Sequence, residues 1–488
     1  MLDRRRLLTL GGITAGSAVG GMLLLPPAPT PAATPGVAGN DAHPGHRQTA
    51  GKRRTRPDKP FTQRMPIPQE LTPRTRSGVD SYTIPIQPAQ VEFVPGHPTS
   101  VRTYAGQFVG PTIRAKTGRP VRINFANQLD GPSNVHLHGG HVPHSSDGYP
   151  IDVIDPGQSR DYYYPNDQQG ATLWYHDHAH HVEAENVYFG LHGFYIIEDE
   201  AERALNLPGG RYDIPIMLRD ALLDEDGQLV YTAHPPERTT ILANGVVTPH
   251  FPVARRKYRI RFLNGATERV FHLKLGGAEM TQIASDGGLL PAPVQRSEIV
   301  LGSAERVDVV IDFSRHDVGS QLVLYDVTGA VMRFDVRREV DDPSQVPDTL
   351  RPLPPLPPAT VDRVVAMKFD LSGPAPIGLV NDKPFDPNRV DMRVKRGSTE
   401  IWEIRNDDVE FGIPHTFHVH LEQFRVLDRG GKPPTLDDAG RKDTVFVAPG
   451  EPVRIQINFT DYLGKYLYHC HYLEHSVHGM MGQMEIVE

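Results

Sequence analysis

Cysteine is nearly absent: 488 residues contain one, Cys470. A lone thiol forms no intrachain disulfide, and it excludes structural zinc sites that gather two to four thiolates in CxxC spacings. Excess basic charge is missing as well. The net charge is −8 and the pI near 6.3, which argues against nucleic-acid binding, where a basic face must meet phosphates. No uninterrupted apolar run of ~20 residues exists to span a bilayer, because the one candidate, near the N-terminus, is broken by glycine and serine. What remains is 38% hydrophobic content with 46 prolines and 45 glycines, a globular composition rich in turns. The length suggests two to four domains.

The start, "MLDRRRLLTLGGITAGSAVGGMLLLPPAPTPAATPG", sets Arg4, Arg5 and Arg6 before a weakly hydrophobic run and then small residues. This predicts a twin-arginine export signal over residues 1–38, with the export machinery as a partner and an extracellular, cell-envelope or periplasmic destination. That route carries folded proteins, which suits a chain that loads a cofactor first. Residues 39–75, including "GKRRTRPDKP", read as a flexible tail and linker. Residues 346–362, including "LRPLPPLPPATVD", read as an extended connector.

Between these segments the chain repeats itself. "TIRAKTGRPVRINFANQLDGPSNVHLH" (112–138) parallels "DMRVKRGSTEIWEIRNDDVEFGIPHTFHVH" (391–420), and Pro156 and Pro449 each stand twenty residues before the first histidine of a second pair. A middle copy, "KYRIRFLNGATERVFHLKL" (257–275), has Lys274 at its second histidine position. Alternation of period two in short runs bounded by Gly, Pro, Asn and Asp predicts antiparallel strands in sandwiches. The expectation is an all-β chain of three tandem Greek-key β-sandwich domains, 76–200, 201–345 and 363–488, the middle one without a metal site.

Four His-x-His pairs occur: His136 and His138, His176 and His178, His418 and His420, His469 and His471. On a strand, residues two apart share a face at roughly 6 to 7 Å, so each pair presents two imidazoles together. Eight imidazoles exceed the needs of one ion and suit a cluster between the first and third domains. By the same alternation Cys470, between His469 and His471, must face away. A soft thiolate with imidazoles and a thioether favours blue copper, and Cys470, His475 and Met480 supply three such ligands. The fourth comes from elsewhere in the chain.

With "HLHGG", "WYHDH", "HTFHVH" and "HCHYLEHSVHGM" in order, the chain from about residue 66 onward resembles the multicopper oxidases. "MPIPQELTP", "FVGPTIRAK" and "HLHGGHVPHSSDGYP" are most similar to the branch of spore-coat laccase, bilirubin oxidase and phenoxazinone synthase. The resemblance implies cupredoxin-like domains and four copper ions. His415, Cys470, His475 and Met480 would hold the type 1 ion, and His136 and His418 the type 2 ion. His138, His176, His178, His420, His469 and His471 would hold the type 3 pair. It further implies one-electron oxidation of a small-molecule reductant, phenolic or a related aromatic, coupled to four-electron reduction of dioxygen to water. Cys470, His469 and His471 then carry the electron route, and a monomer is expected. Asp147 matches an acidic residue near the type 2 copper, and equally fits an Asp-Gly turn.

Two positions depart from the family. Ser476 stands where many relatives carry a glutamate, which leaves their second proton relay without its residue, and Thr416 replaces a proline, altering a turn. His141, His144, His180, His181, His192 and His478 read as surface or supporting histidines. Bilirubin oxidation and metal-ion (Mn or Cu) oxidation are the alternatives within the enzyme class, although no methionine-rich insert is present for cuprous ion. Copper nitrite reductases need fewer histidines. A non-enzymatic scaffold on the same fold is the alternative of another class.

Overall fold

The computed structural model describes residues 59–232 and 235–488. The expected export signal and the basic run of the tail lie outside the described residues. The chain is mostly β, in six sheets that follow one another as three pairs over residues 74–198, 213–339 and 361–487. Among the described residues the longest helix, Glu183–Phe189, has 7 residues. None is long and apolar enough to cross a membrane.

Period-two patterning does what the sequence requires of it. In Val121–Asn127 the residues Val121, Ile123 and Phe125 point into the first core while Arg122 points out. Equivalent cores form around Ile260 and Phe262 in the middle copy and Trp402 and Ile404 in the third. The strands are not all antiparallel, however. Each copy carries one parallel pair in each sheet: Val79–Val94 with Val121–Asn127 and Gly110–Lys116 with His192–Glu198 in the first. The middle copy has Asp213–Ala221 with Lys257–Asn264 and His250–Arg255 with Gly329–Glu339. In the third they are Val361–Asp370 with Thr399–Asn406 and Met392–Lys395 with Met481–Val487. The connections between these strands are long and leave the sheet before returning, so the partners run the same way, as a hairpin cannot.

One asparagine per copy repeats the same task. Asn127, Asn264 and Asn406 end matching strands, are buried, and each donates from Nδ2 to two backbone carbonyls while Oδ1 accepts the N–H two residues on. A buried amide with its hydrogen bonds satisfied fixes the loop that follows. In the first and third copies that loop leads into His136–His138 and His415–Val419.

The described part of the expected flexible tail is held in place. Met65 is buried in the middle core, and its N–H donates to the carbonyl of His250. Apolar burial of that side chain, worth about 2 kcal/mol, offsets the ordering entropy of about one or two residues. The proline-rich connector forms no helix or strand before Val361 and runs along the surface of the fold. Leu350 packs beside Leu290, and the carbonyls of Pro354 and Pro357 accept from Arg425 and Gln456. Thr416 lies within the strand His415–Val419, paired with Phe446, and not in a turn.

Candidate metal centre

The four histidine pairs converge where the first and third copies meet. Within each copy two pairs are in register: His136 lies opposite His176, and His418 opposite His469. Rings then interleave across the interface, His136 stacking on His420 with centroids 3.8 Å apart and His138 on His418 at 3.7 Å. All eight are at most 1% exposed. Their donor atoms gather into three sets, each spanning at most 4.8 Å, of which the first two share His138: His136, His138 and His418; His138, His176 and His471; His178, His420 and His469.

Backbone carbonyls decide which nitrogen faces inward. Those of Asp147, Asp177, Asp443 and Cys470 accept from Nδ1 of His136, His176, His418 and His469, turning Nε2 toward the cluster. His138 is reversed. Its Nε2 is bound to Asp443 Oδ1 at 2.9 Å, so Nδ1 faces inward.

Cys470 faces the other way from its neighbours. Its Sγ lies 3.5 Å from His475 Nδ1 and 3.7 Å from His415 Nδ1, and these two nitrogens are 3.1 Å apart. Asp408 accepts from His415 Nε2 at 2.9 Å, leaving Nδ1 for the sulfur side. Met480 is buried beside them, and its carbonyl accepts from the Cys470 N–H. In the first copy Asp177 occupies the place of Cys470, where Ser133 Oγ, Asn134 N and Ala179 N donate to its carboxylate. There the same strand position fastens loops. In the middle copy His272 and Lys274 both turn to Glu298.

Models of the family "Multicopper oxidase" match residues 85–202, 211–342 and 354–488. The chain belongs to the multicopper oxidase family. A laccase of Bacillus stratosphericus is 36% identical over 88% of this chain and 99% of its own. A bilirubin oxidase of Albifimbria verrucaria is 35% identical over 86% and 80%. A laccase crystal structure from Pediococcus acidilactici, 33% identical, superposes with a TM-score of 0.82 over 89% of this chain and 95% of that one. As a family member this chain is a copper-dependent oxidoreductase with dioxygen as acceptor.

The residues present fit copper on their own chemistry. Nε2 of His136, His176 and His418, Nδ1 of His138 and both nitrogens of His471 are buried without a hydrogen-bond partner. Each such orphan costs about 1–3 kcal/mol unless something occupies the space they face. Burial pushes His138, His176, His418, His420, His469 and His471 well below the usual imidazole range, so they present lone pairs. His178 is the exception. Burial would lower it, but the Glu183 carboxylate holds it above the ordinary value. Burial pushes the Cys470 thiol up to about 12, so only a bound cation draws out its thiolate.

Several functional side chains carry no spacing signal in the sequence. Asp147, placed between His136 and His420, accepts from His420 Nδ1 at 2.7 Å while its Oδ1 stays unpartnered. Asp443 supports His138 and is clamped by the fully buried Arg306 of the middle copy. Glu268, also from the middle copy, brings Oε1 to 3.5 Å from His475 Nε2. The copy without paired histidines thus braces both groups. None of His141, His144, His180, His181, His192 and His478 belongs to a ligand set; His141, for example, binds Asp461 at 2.9 Å.

Proposed function

We propose that this chain is a four-copper oxidase of laccase type, exported through its twin-arginine segment and acting as a monomer. His415, Cys470, His475 and Met480 hold the type 1 ion and His136 and His418 the type 2 ion. His138, His176 and His471 hold one member of the type 3 pair, and His178, His420 and His469 the other. When bound, copper supplies one-electron oxidation of the reductant and four-electron reduction of dioxygen. One observation carries the reading. Three consecutive residues, His469, Cys470 and His471, reach two separate ligand groups, so a continuous covalent path through one backbone link joins them.

The chain's own residues shape both ends. At the reductant end His475 Nε2 has no hydrogen-bond partner and lies 3.5 Å from the Glu268 carboxyl, which burial holds well above the usual carboxylate range, so its unpartnered oxygen is the acceptor offered to the O–H of a phenol or related aromatic beside the edge where the electron enters. At the dioxygen end Asp147 Oδ1 is buried and open, placed to hold a proton next to His136 and His420.

Bilirubin is a second reading, favoured by the similarity to a bilirubin oxidase. Oxygen uptake by copper-loaded protein, measured in parallel with phenols, bilirubin, Mn(II) and Cu(I), decides between them. The expected outcome is fastest turnover of phenols, slowed about 10-fold in kcat/KM by Glu268→Leu, which removes the accepting oxygen. Uptake driven mainly by bilirubin or a metal ion would move the substrate class. No uptake with any donor would favour a scaffold.

A further inference from the structure

Glu183 is 0% exposed, and among the described residues no lysine or arginine pairs with it. An uncompensated buried carboxylate costs several kcal/mol, so its surroundings must account for it. Two groups face it. Ser476 Oγ, on the short helix Leu473–Val477 of the third copy, donates to Oε1. Oε2 lies 3.7 Å from His178 Nδ1, and neither of these two atoms has another partner.

Apart from Glu183 no acceptor faces His178 Nδ1, and of the other seven paired rings only His471, with both nitrogens unpartnered, lacks an orienting acceptor. His136, His176, His418 and His469 are oriented by backbone carbonyls, and His138 and His420 by aspartates. On the far side His178 Nε2 lies 3.3 Å from His469 Nε2, in the set shared with His420. A histidine that ligates a metal through one nitrogen needs an acceptor on the other to fix its tautomer and ring plane.

We propose that Glu183 is the positioning residue for His178, accepting its Nδ1–H so that Nε2 is presented to His420 and His469, with the Ser476 hydroxyl holding the carboxylate in place. Residue 476 itself carries no carboxylate; the one at this spot reaches it from the first copy. Apolar contacts of Ala184 and Val187 with Leu473 and Val477 keep the two helices together, so the pair spans the interface on a packed base. The inference rests on reading His178, His420 and His469 as one copper position.

The test compares total copper with EPR-detected copper in the oxidised protein after dialysis against a chelator, with blue absorption as the control for folding and for the Cys470 site. A spin-coupled pair is EPR-silent, so an ion lost or uncoupled at the His178 position changes that ratio. Glu183→Leu is expected to weaken retention there about 10-fold or more while blue absorption persists. Glu183→Gln keeps a carbonyl for Nδ1 and an amide for Ser476 and is expected to restore the wild-type ratio. Ser476→Ala, which cuts only the tie between helices, is expected to shift it less. A wild-type ratio in Glu183→Leu, or equal effects of Glu183→Leu and Ser476→Ala, would overturn the proposal. Should Glu183→Leu fail to fold, the exchange Glu183→Ser with Ser476→Glu decides: it returns a carboxylate to the same gap, and persistent loss of the pair would contradict the assignment. Wild-type copper that is all EPR-detected would instead overturn the pair reading, and this inference with it.

Discussion

Cys470 and His469 are neighbours on one strand that serve different groups: Cys470 Sγ is 3.5 Å from His475 Nδ1, whereas His469 Nε2 is 3.3 Å from Nε2 of both His178 and His420. Period-two alternation produces this split: Phe417, paired in register with Cys470, shares its face in the third core, while His418, paired with His469, shares the face of the cluster. Changing one residue should therefore disable one group and spare the other.

Asp147 gives the first expectation. Its carbonyl orients His136 and its carboxylate orients His420, so the backbone half of this support survives Asp147→Leu and the side-chain half does not. Oxygen uptake should fall about 10- to 100-fold with blue absorption intact. Unchanged turnover across the pH range would reduce Asp147 to a turn residue beside Gly148.

Arg306 gives the second. It is fully buried and donates to Asp443, so Arg306→Met leaves that buried carboxylate without a cation, whereas Asp286, 3.6 Å from Arg306, keeps Lys442 at 3.2 Å. Destabilisation of about 3–5 kcal/mol is expected, read from denaturant midpoints. Adding Asp443→Leu should recover part of it. Equal midpoints for wild type and Arg306→Met would contradict the bracing role of the middle copy.

The third concerns pH and the copper-free chain. Burial holds His415 at about 4 and His475 at about 3, and most cluster imidazoles also sit well below 6.5. Because the folded values are depressed, the unfolded chain binds more protons below pH ~6.5, and stability falls as pH falls through that value. Each group contributes up to about 1.4 kcal/mol per pH unit until its folded value is reached. Thermal midpoints of copper-free protein should drop from pH 7 to pH 5; a flat profile would contradict the buried, neutral state of the cluster.

Much of this was legible in the sequence because alternation is a local property. The repeats around "NVHLH" and "HTFHVH" gave the copies, and the pairs gave the cluster and the reversed cysteine. The parallel strand pairs were not legible, since direction depends on where a long connection returns and not on periodicity. Single supporting carboxylates also escaped notice. Asp408, Asp443, Glu183 and Glu268 reach histidines across 7, 305, 5 and 207 residues, separations without a common spacing. Only Ser476 gave a hint, a small residue where a carboxylate was expected, and the structure brings Glu183 to it.

The central claim is that one strand serves two centres, and paired variants of the copper-loaded protein test it most directly. Anaerobic reduction by a phenol, followed by admission of oxygen, is monitored through blue absorption. Cys470→Ser should show no blue colour and no turnover, while its silent copper pair remains. His469→Ala should stay blue and be reduced by the phenol, yet be reoxidised at least ~100-fold more slowly than wild type. Phenol turnover by Cys470→Ser, or wild-type reoxidation of His469→Ala, would contradict the account.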